Sequence, residues 1–158
     1  MDKMERIQKR LGDILVNKGL ITPKKLDEAL EVQKKSREFL GAILLKRRYI
    51  TERQLLGALA EQFSIPLVDL KDRYLNWELL KQFSPSLILE YKCFPVEKDD
   101  FSITIAITNP MDIWALKKSE EESMPLKLKF VLTSHEDMED AIERYRKYMR
   151  GDIGRILE

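Results

Sequence analysis

The sequence predicts an α+β fold: four N-terminal helices in two duplicated hairpins, then a small α/β subdomain with a three- to four-stranded sheet. Two observations predict it. Residues 10–33, RLGDILVNKGLITPKKLDEALEVQ, return at 39–62 as FLGAILLKRRYITERQLLGALAEQ, with Gly12 and Gly41 standing 29 residues apart and ten of 24 aligned positions identical. After Phe63 the helical spacing gives way to alternation, clearest where Phe101, Ile103, Ile105 and Ile107 interleave with Ser102, Thr104, Ala106 and Thr108.

Each repeat reads as helix, turn, helix. Leu11, Ile14 and Leu15 share a helical face, and Gly19 is the expected left-handed stop. Thr22 caps the next helix with Pro23 in its first turn, and Leu26, Ala29, Leu30 and Gln33 line one face. The second copy repeats this with Leu40, Ile43 and Leu44, then a Thr51–Gln54 capping box, then Leu55, Ala58, Leu59 and Gln62. Residues 34–38 are the expected linker. Beyond Phe63 the expected elements are a short strand over 65–70 with Pro66 at its start, helices over 77–83 and 84–91, and an antiparallel strand pair over 93–97 and 101–108. A helix over 112–122, a strand over 126–132 and a helix from Ser134 to about Met149 complete the series. The domain reading is 1–63 helical, 64–150 α/β, and 151–158 a tail or the start of a linker.

Composition excludes several classes. The 158 residues carry 28 basic and 27 acidic side chains and contain no apolar run near the ~20 residues of a membrane span. The charged N-terminus MDKMERIQKR lacks the apolar centre of a signal peptide, so the cytoplasm is the expected compartment. One cysteine, Cys93, forms no internal disulfide and reads as a buried, inert thiol; one histidine, His135, leaves no cluster for zinc. Neither GxxxxGK[ST] nor GxGxxG occurs. The acid runs Glu120-Glu121-Glu122 and Glu136-Asp137 read as solvated helix faces, and Asp99-Asp100 as turn residues. No catalytic constellation emerges, so this chain alone is not expected to be an enzyme. Up to Phe63 there are 14 basic and 9 acidic residues, a bias that suits an anionic ligand or an acidic partner surface. Interleaved acids and the lack of an aromatic platform speak against nucleic acid.

The repeat carries the remaining chemistry. Arg10 offers a planar fork for a phosphate or a guanine edge. Gly12, read as lying at a helix start, would let a ligand approach the main chain and expose its N–H to an anion. Leu15, Leu26 and Leu30 could floor a base or ribose, and Gln33 could read a base edge. Two such clusters suit a ligand that is itself two-fold. A second reading stays open: the leucines are simply core, and each glycine admits close helix packing.

Residues 10–33 resemble the ligand motif of the MshEN domain, RLGxxLxxxGxLxxxxLxxxLxxQ, with Ile21 at the one apolar position that differs. The second copy departs twice, with Phe39 for the arginine and Arg48 for the second glycine. Residues 8–150 as a whole resemble the N-terminal domain of type II secretion and type IV pilus assembly ATPases, including IPLVDL and the Asn-Pro-Met-Asp segment within 107–112. The resemblance implies a non-catalytic regulatory and docking domain that precedes a motor ATPase domain and docks on an inner-membrane platform protein. It places the domain in the cytoplasm, peripheral to the inner membrane through that partner. It also implies cyclic di-GMP as a regulatory ligand, held by Arg10, Leu11, Gly12, Leu15, Leu26, Leu30 and Gln33 of the first motif. Leu40, Gly41, Leu44, Leu55, Leu59 and Gln62 are their counterparts in the second. No metal or other cofactor is implied. The alternative is an adaptor that docks on the platform protein without binding nucleotide. A monomer or weak dimer is expected.

Overall fold

Capping chemistry sets the helix boundaries in the computed structural model, which describes residues 2–157 and their side chains as far as Gly151. Helix α1 (Lys3–Asn17) opens on a capping box: Glu5 N–H donates to Asp2 Oδ1 at 2.8 Å and Asp2 N–H to Glu5 Oε2 at 3.1 Å. It therefore begins two turns before Arg10, and Gly12 lies in mid-helix rather than near a start. At its end Gly19 adopts φ +73°, with Gly19 N–H bonded to Val16 O (2.9 Å) and Leu20 N–H to Leu15 O (3.0 Å). This is a Schellman turn. Helix α2 (Pro23–Ser36) is capped by Thr22 and runs past Gln33 to Ser36, where Arg37 at φ +59° ends it. The expected five-residue linker shrinks to Arg37–Phe39, because nothing in Lys34-Lys35-Ser36 breaks a helix and lysines suit its C-terminal end.

Helix α3 (Leu40–Lys46) closes with the same Schellman bonds: Arg48 N–H to Leu45 O and Tyr49 N–H to Leu44 O, both 3.0 Å. Arg48 accepts φ +57° where the first copy has glycine. Left-handed backbone costs a non-glycine residue about 1–2 kcal/mol, partly offset by the lower chain entropy of the unfolded arginine. Arg48→Gly is therefore expected to stabilise the chain by roughly 0.5–1 kcal/mol, read as a thermal-melt midpoint higher by about 2 °C. Helix α4 (Glu52–Phe63) opens on the expected Thr51–Gln54 capping box.

The four helices pack crosswise. Helix α1 lies mainly on α4 and α2 on α3, so the first helix of each hairpin rests on the second helix of the other. Leu11, Leu15, Leu40 and Leu44 are wholly buried in this packing. The chain divides into two compact units, Met1–Ile65 and Pro66–Glu158.

In the second unit, α5 (Trp77–Leu80) and α6 (Pro85–Leu89) precede a three-stranded sheet of order β1-β2-β3. Strand β1 (Phe94–Lys98) runs antiparallel to β2 (Ser102–Ile107), with an irregularity between Pro95 and Glu97. Asp99 shapes the turn between them by accepting the N–H groups of Phe101 (2.8 Å) and Ser102 (2.7 Å), bonds that hold its carboxyl below the usual range. Helix α7 (Ile113–Ser123), capped by Asp112, makes the crossover to β3 (Lys127–Leu132), which is parallel to β2. Strand β2 is buried along its whole length. Phe94 and Ala106 share a cluster with Met138, Ala141, Ile142 and Tyr145 of α8 (His135–Leu157), while α7 lies against β2 and β3.

Three further expectations change. The strand over 65–70 reduces to one bridge, Leu67 to Leu132, with Val68 N–H on Leu132 O and Leu132 N–H on Pro66 O, each 2.8 Å. Pro66 has no N–H to extend it backward, and the N–H groups of Leu70 (2.8 Å) and Lys71 (3.1 Å) are taken by Asp137 Oδ2. Asp137 and Glu122 are thus not solvated face residues. Glu122 accepts Ser84 N–H and Ser84 Oγ–H, each at 2.7 Å. The expected tail is helical as far as Leu157, supported by Glu143 pairing with Arg146 and Arg150; Met1 and Glu158 lie outside the described residues. Cys93 is fully buried, and burial pushes its thiol up to about 11, the state of an inert group.

Candidate ligand-binding site

The signature residues of the repeats fall into three groups. The leucines are core: Leu11, Leu15, Leu40 and Leu44 have no exposed surface, Leu26 and Leu59 are buried, and only Leu30 and Leu55 are partly open. The glycines admit close packing. A Cβ on Gly12 would stand 2.5 Å from Leu26 Cδ1, and one on Gly41 would stand 3.0 Å from both methyl carbons of Leu55. Each glycine thus receives the first leucine of its own second helix. Gly12, inside α1, has its N–H within the helical ladder and does not offer it to an anion.

The glutamines cross between repeats. Gln33 donates through Nε2 to Glu38 O at 3.2 Å, on the approach to the second motif. Gln62 donates through Nε2 to Ile7 O at 2.7 Å, on the approach to the first. The matched terminal glutamines therefore do matched work, each holding the backbone that leads into the other copy. Gln62 Oε1 is buried without a hydrogen-bond partner among the described residues.

Gln8, outside both motifs and absent from the sequence reading, is a buried junction. Its Oε1 accepts Leu40 N–H at 2.8 Å and also the Gln33 amide. Phe39, the N-cap of α3, offers no side-chain bond, so Gln8 does the capping from α1. Nothing in the sequence pattern marks it, because its partners lie 25 and 32 residues away.

Arg10 is exposed and does not line the same groove as Gln33. It lines one of about 590 Å³ between α1 and α4, with Lys3, Arg6, Ile7, Gln62 and Phe63. Gln33 and Leu30 line a separate one of about 840 Å³ between α1 and α2. The crossed packing thus sets the arginine of one motif beside the glutamine of the other. Lys3 and Arg6 were legible in principle, standing seven and four residues before Arg10 on one helical face.

The family model of the MshEN domain matches residues 63–152. The chain belongs to the MshEN domain family. The matched span lies almost wholly in the second unit of this MshEN chain, outside the 24-residue repeats. A solved structure of MshE with cdg (cyclic di-GMP) is similar over 86% of this chain and 98% of that one, with 26% identity and a TM-score of 0.80. The N-terminal domain of XpsE shares the fold at 21% identity and a TM-score of 0.64, over 87% of this chain and 94% of that one. The type IV pilus assembly ATPase PilB of Myxococcus xanthus is 29% identical over 156 residues, covering 94% of this chain and 27% of that protein. PilB of Thermus thermophilus is 28% identical over 115 residues, covering 72% of this chain and 13% of that protein. The MshEN chain therefore spans only 27% and 13% of the lengths of these two PilB proteins.

Proposed function

We propose that this chain is the regulatory and docking domain of a type II secretion or type IV pilus assembly ATPase, and that its helical unit binds cyclic di-GMP. The observation that carries this reading is the complete first motif, folded so that Arg10 and Gln62 share a cationic groove. The likeness to MshE with cdg supports it. On this reading ATP hydrolysis belongs to a motor domain in the same protein or assembly, and the chain works at the cytoplasmic face of the inner membrane, held by a platform protein. Among the described residues no helix is long and apolar enough to cross a membrane. Of the thirteen motif residues, Arg10, Gln62, Leu30 and Gln33 line grooves, while the buried leucines and both glycines set the helix spacing beneath them.

Isothermal titration with cyclic di-GMP tests the ligand. Saturable heat is expected, and Arg10→Ala should weaken binding by about tenfold or more, as expected for loss of a charged hydrogen bond. Absence of heat at several hundred micromolar nucleotide, with the chain folded by circular dichroism, would remove the ligand from the proposal.

One observation favours the second reading, an adaptor indifferent to nucleotide. The buried leucines, both glycines and both glutamines of the repeats have internal structural partners, so the motif could persist for packing alone. Capture of the platform protein's cytoplasmic segment, unchanged by cyclic di-GMP and by Arg10→Ala, would favour it.

A further inference from the structure

The turns of the two hairpins meet at one end of the helical unit. Lys25 Nζ of α2 stands 4.9 Å from the centre of the Tyr49 ring, and Tyr49 Oη–H donates to Glu28 Oε2 at 3.2 Å. This contact gathers the start of α2, the end of α3 and the start of α4. Five exposed cations belong to these segments: Lys24, Lys25, Arg47, Arg48 and Arg53. None of the five is ion-paired among the described residues, whereas their neighbours Lys18 and Lys46 are already paired, with Glu61 and Glu38. Of the acids in the same segments, Asp27 lines the α1–α2 groove, Glu28 holds Tyr49, and Glu52 complements the first turn of α4.

The chain carries these cations at local cost. Arg48 holds φ +57° where the first copy has a glycine, a backbone state that disfavours any side chain. Lys24 and Lys25 occupy the first turn of α2, which contains no acid, so both oppose the positive end of the helix dipole. Arg53 stands in the first turn of α4, 29 residues after Lys24, so the duplicated motif repeats the unfavourable charge. No internal ion pair offsets these terms; an external anion at the same end would.

The arrangement fits an anionic surface better than a protein partner. Protein interfaces centre on buried aromatic and apolar anchors and keep charge at the rim. Among the described residues no large apolar side chain is exposed at this end. Long cationic side chains without an apolar anchor are what the headgroups of an anionic bilayer hold by charge alone. We infer that the two-turn end of the helical unit binds anionic lipid headgroups directly, with Arg48 in the contact. The contact needs neither the nucleotide nor the platform protein proposed above. Each cation close to such a surface is worth about fivefold in partitioning (about 1 kcal/mol), so five of them bring half-binding to roughly millimolar lipid.

The test is co-sedimentation of the full chain with vesicles of phosphatidylethanolamine and phosphatidylglycerol, against vesicles of phosphatidylcholine alone. The variants are Arg48→Gly, the double substitution Arg47→Gln with Arg53→Gln, and Lys147→Gln as an exposed cation of the second unit. Binding is expected to the anionic vesicles alone and to vanish at about 0.5 M salt. Arg48→Gly should weaken it about fivefold while raising the thermal-melt midpoint, so that the loss is not one of folding. The double variant should lose more than tenfold, and Lys147→Gln less than twofold. No sedimentation with anionic vesicles, or sedimentation that Arg48→Gly and the double variant leave unchanged, would overturn the inference. So would equal losses from Lys147→Gln and Arg48→Gly. Retention on polyglutamate without binding to vesicles would also overturn it, and would assign this end to an acidic protein surface.

Discussion

Leu15→Ala is expected to destabilise the chain by about 2–5 kcal/mol, and Leu44→Ala by a similar amount, with no nucleotide present. Both side chains have no exposed surface and occupy matched positions in α1 and α3, where the crossed hairpins bury them. Truncation removes several buried methyl and methylene groups and leaves a cavity that helices pinned by Schellman turns at their C-terminal ends cannot fully close. Urea unfolding followed by far-ultraviolet circular dichroism measures the loss. A leucine that served as the floor of an open nucleotide pocket would already be solvated in the free protein, and its truncation would cost under about 1 kcal/mol. The measurement thus separates the core role that the structure gives these leucines from the ligand-floor role read from the motif.

Gln8→Leu is expected to cost about 1–3 kcal/mol despite the similar size of the two side chains. The native Oε1 accepts Leu40 N–H at 2.8 Å and the Gln33 amide, so the substitution strands a buried main-chain donor at the start of α3. It also leaves Gln33 with Glu38 O as its partner in this junction. Amide exchange at Leu40 reads the effect site by site: its protection should fall well below that of Leu44. Unchanged protection at Leu40 would show that the bond from Gln8 is not what holds the second motif's entry. Because Gln8 precedes Arg10 by two positions, loosening this junction should also weaken any nucleotide contact made by α1.

The local pattern of this fold was legible wherever a cap or a period decided it. Thr22-Pro23, Thr51–Gln54, Gly19 and Asp99 each announce a boundary through one side chain or one φ value, and each does so in the structure. The repeat itself made the two hairpins readable. What the sequence left hidden is long-range. The crossing of α1 onto α4 and α2 onto α3 cannot be distinguished by periodicity from packing within each hairpin, since the apolar faces are the same either way. That crossing is why Arg10 meets Gln62 in one groove and Gln33 lines another. The strand over 65–70 failed for a related reason: Asp137, far along the chain, takes the N–H groups that a ladder would need. Arg48 shows the opposite case, an unsuitable residue held in a left-handed turn by the bonds around it.

The central claim is that ligand recognition belongs to the helical unit, in the groove where Arg10 and Gln62 meet. A nitrogen–proton correlation spectrum of the labelled chain, titrated with cyclic di-GMP, tests this most directly. The account predicts that the Gln62 side-chain amide and the main-chain amides of Arg6, Ile7 and Arg10 move first and farthest, while those of β2, Ile103 to Ile107, stay in place. Movement confined to the sheet and α7, or an unchanged spectrum at millimolar nucleotide, would contradict it.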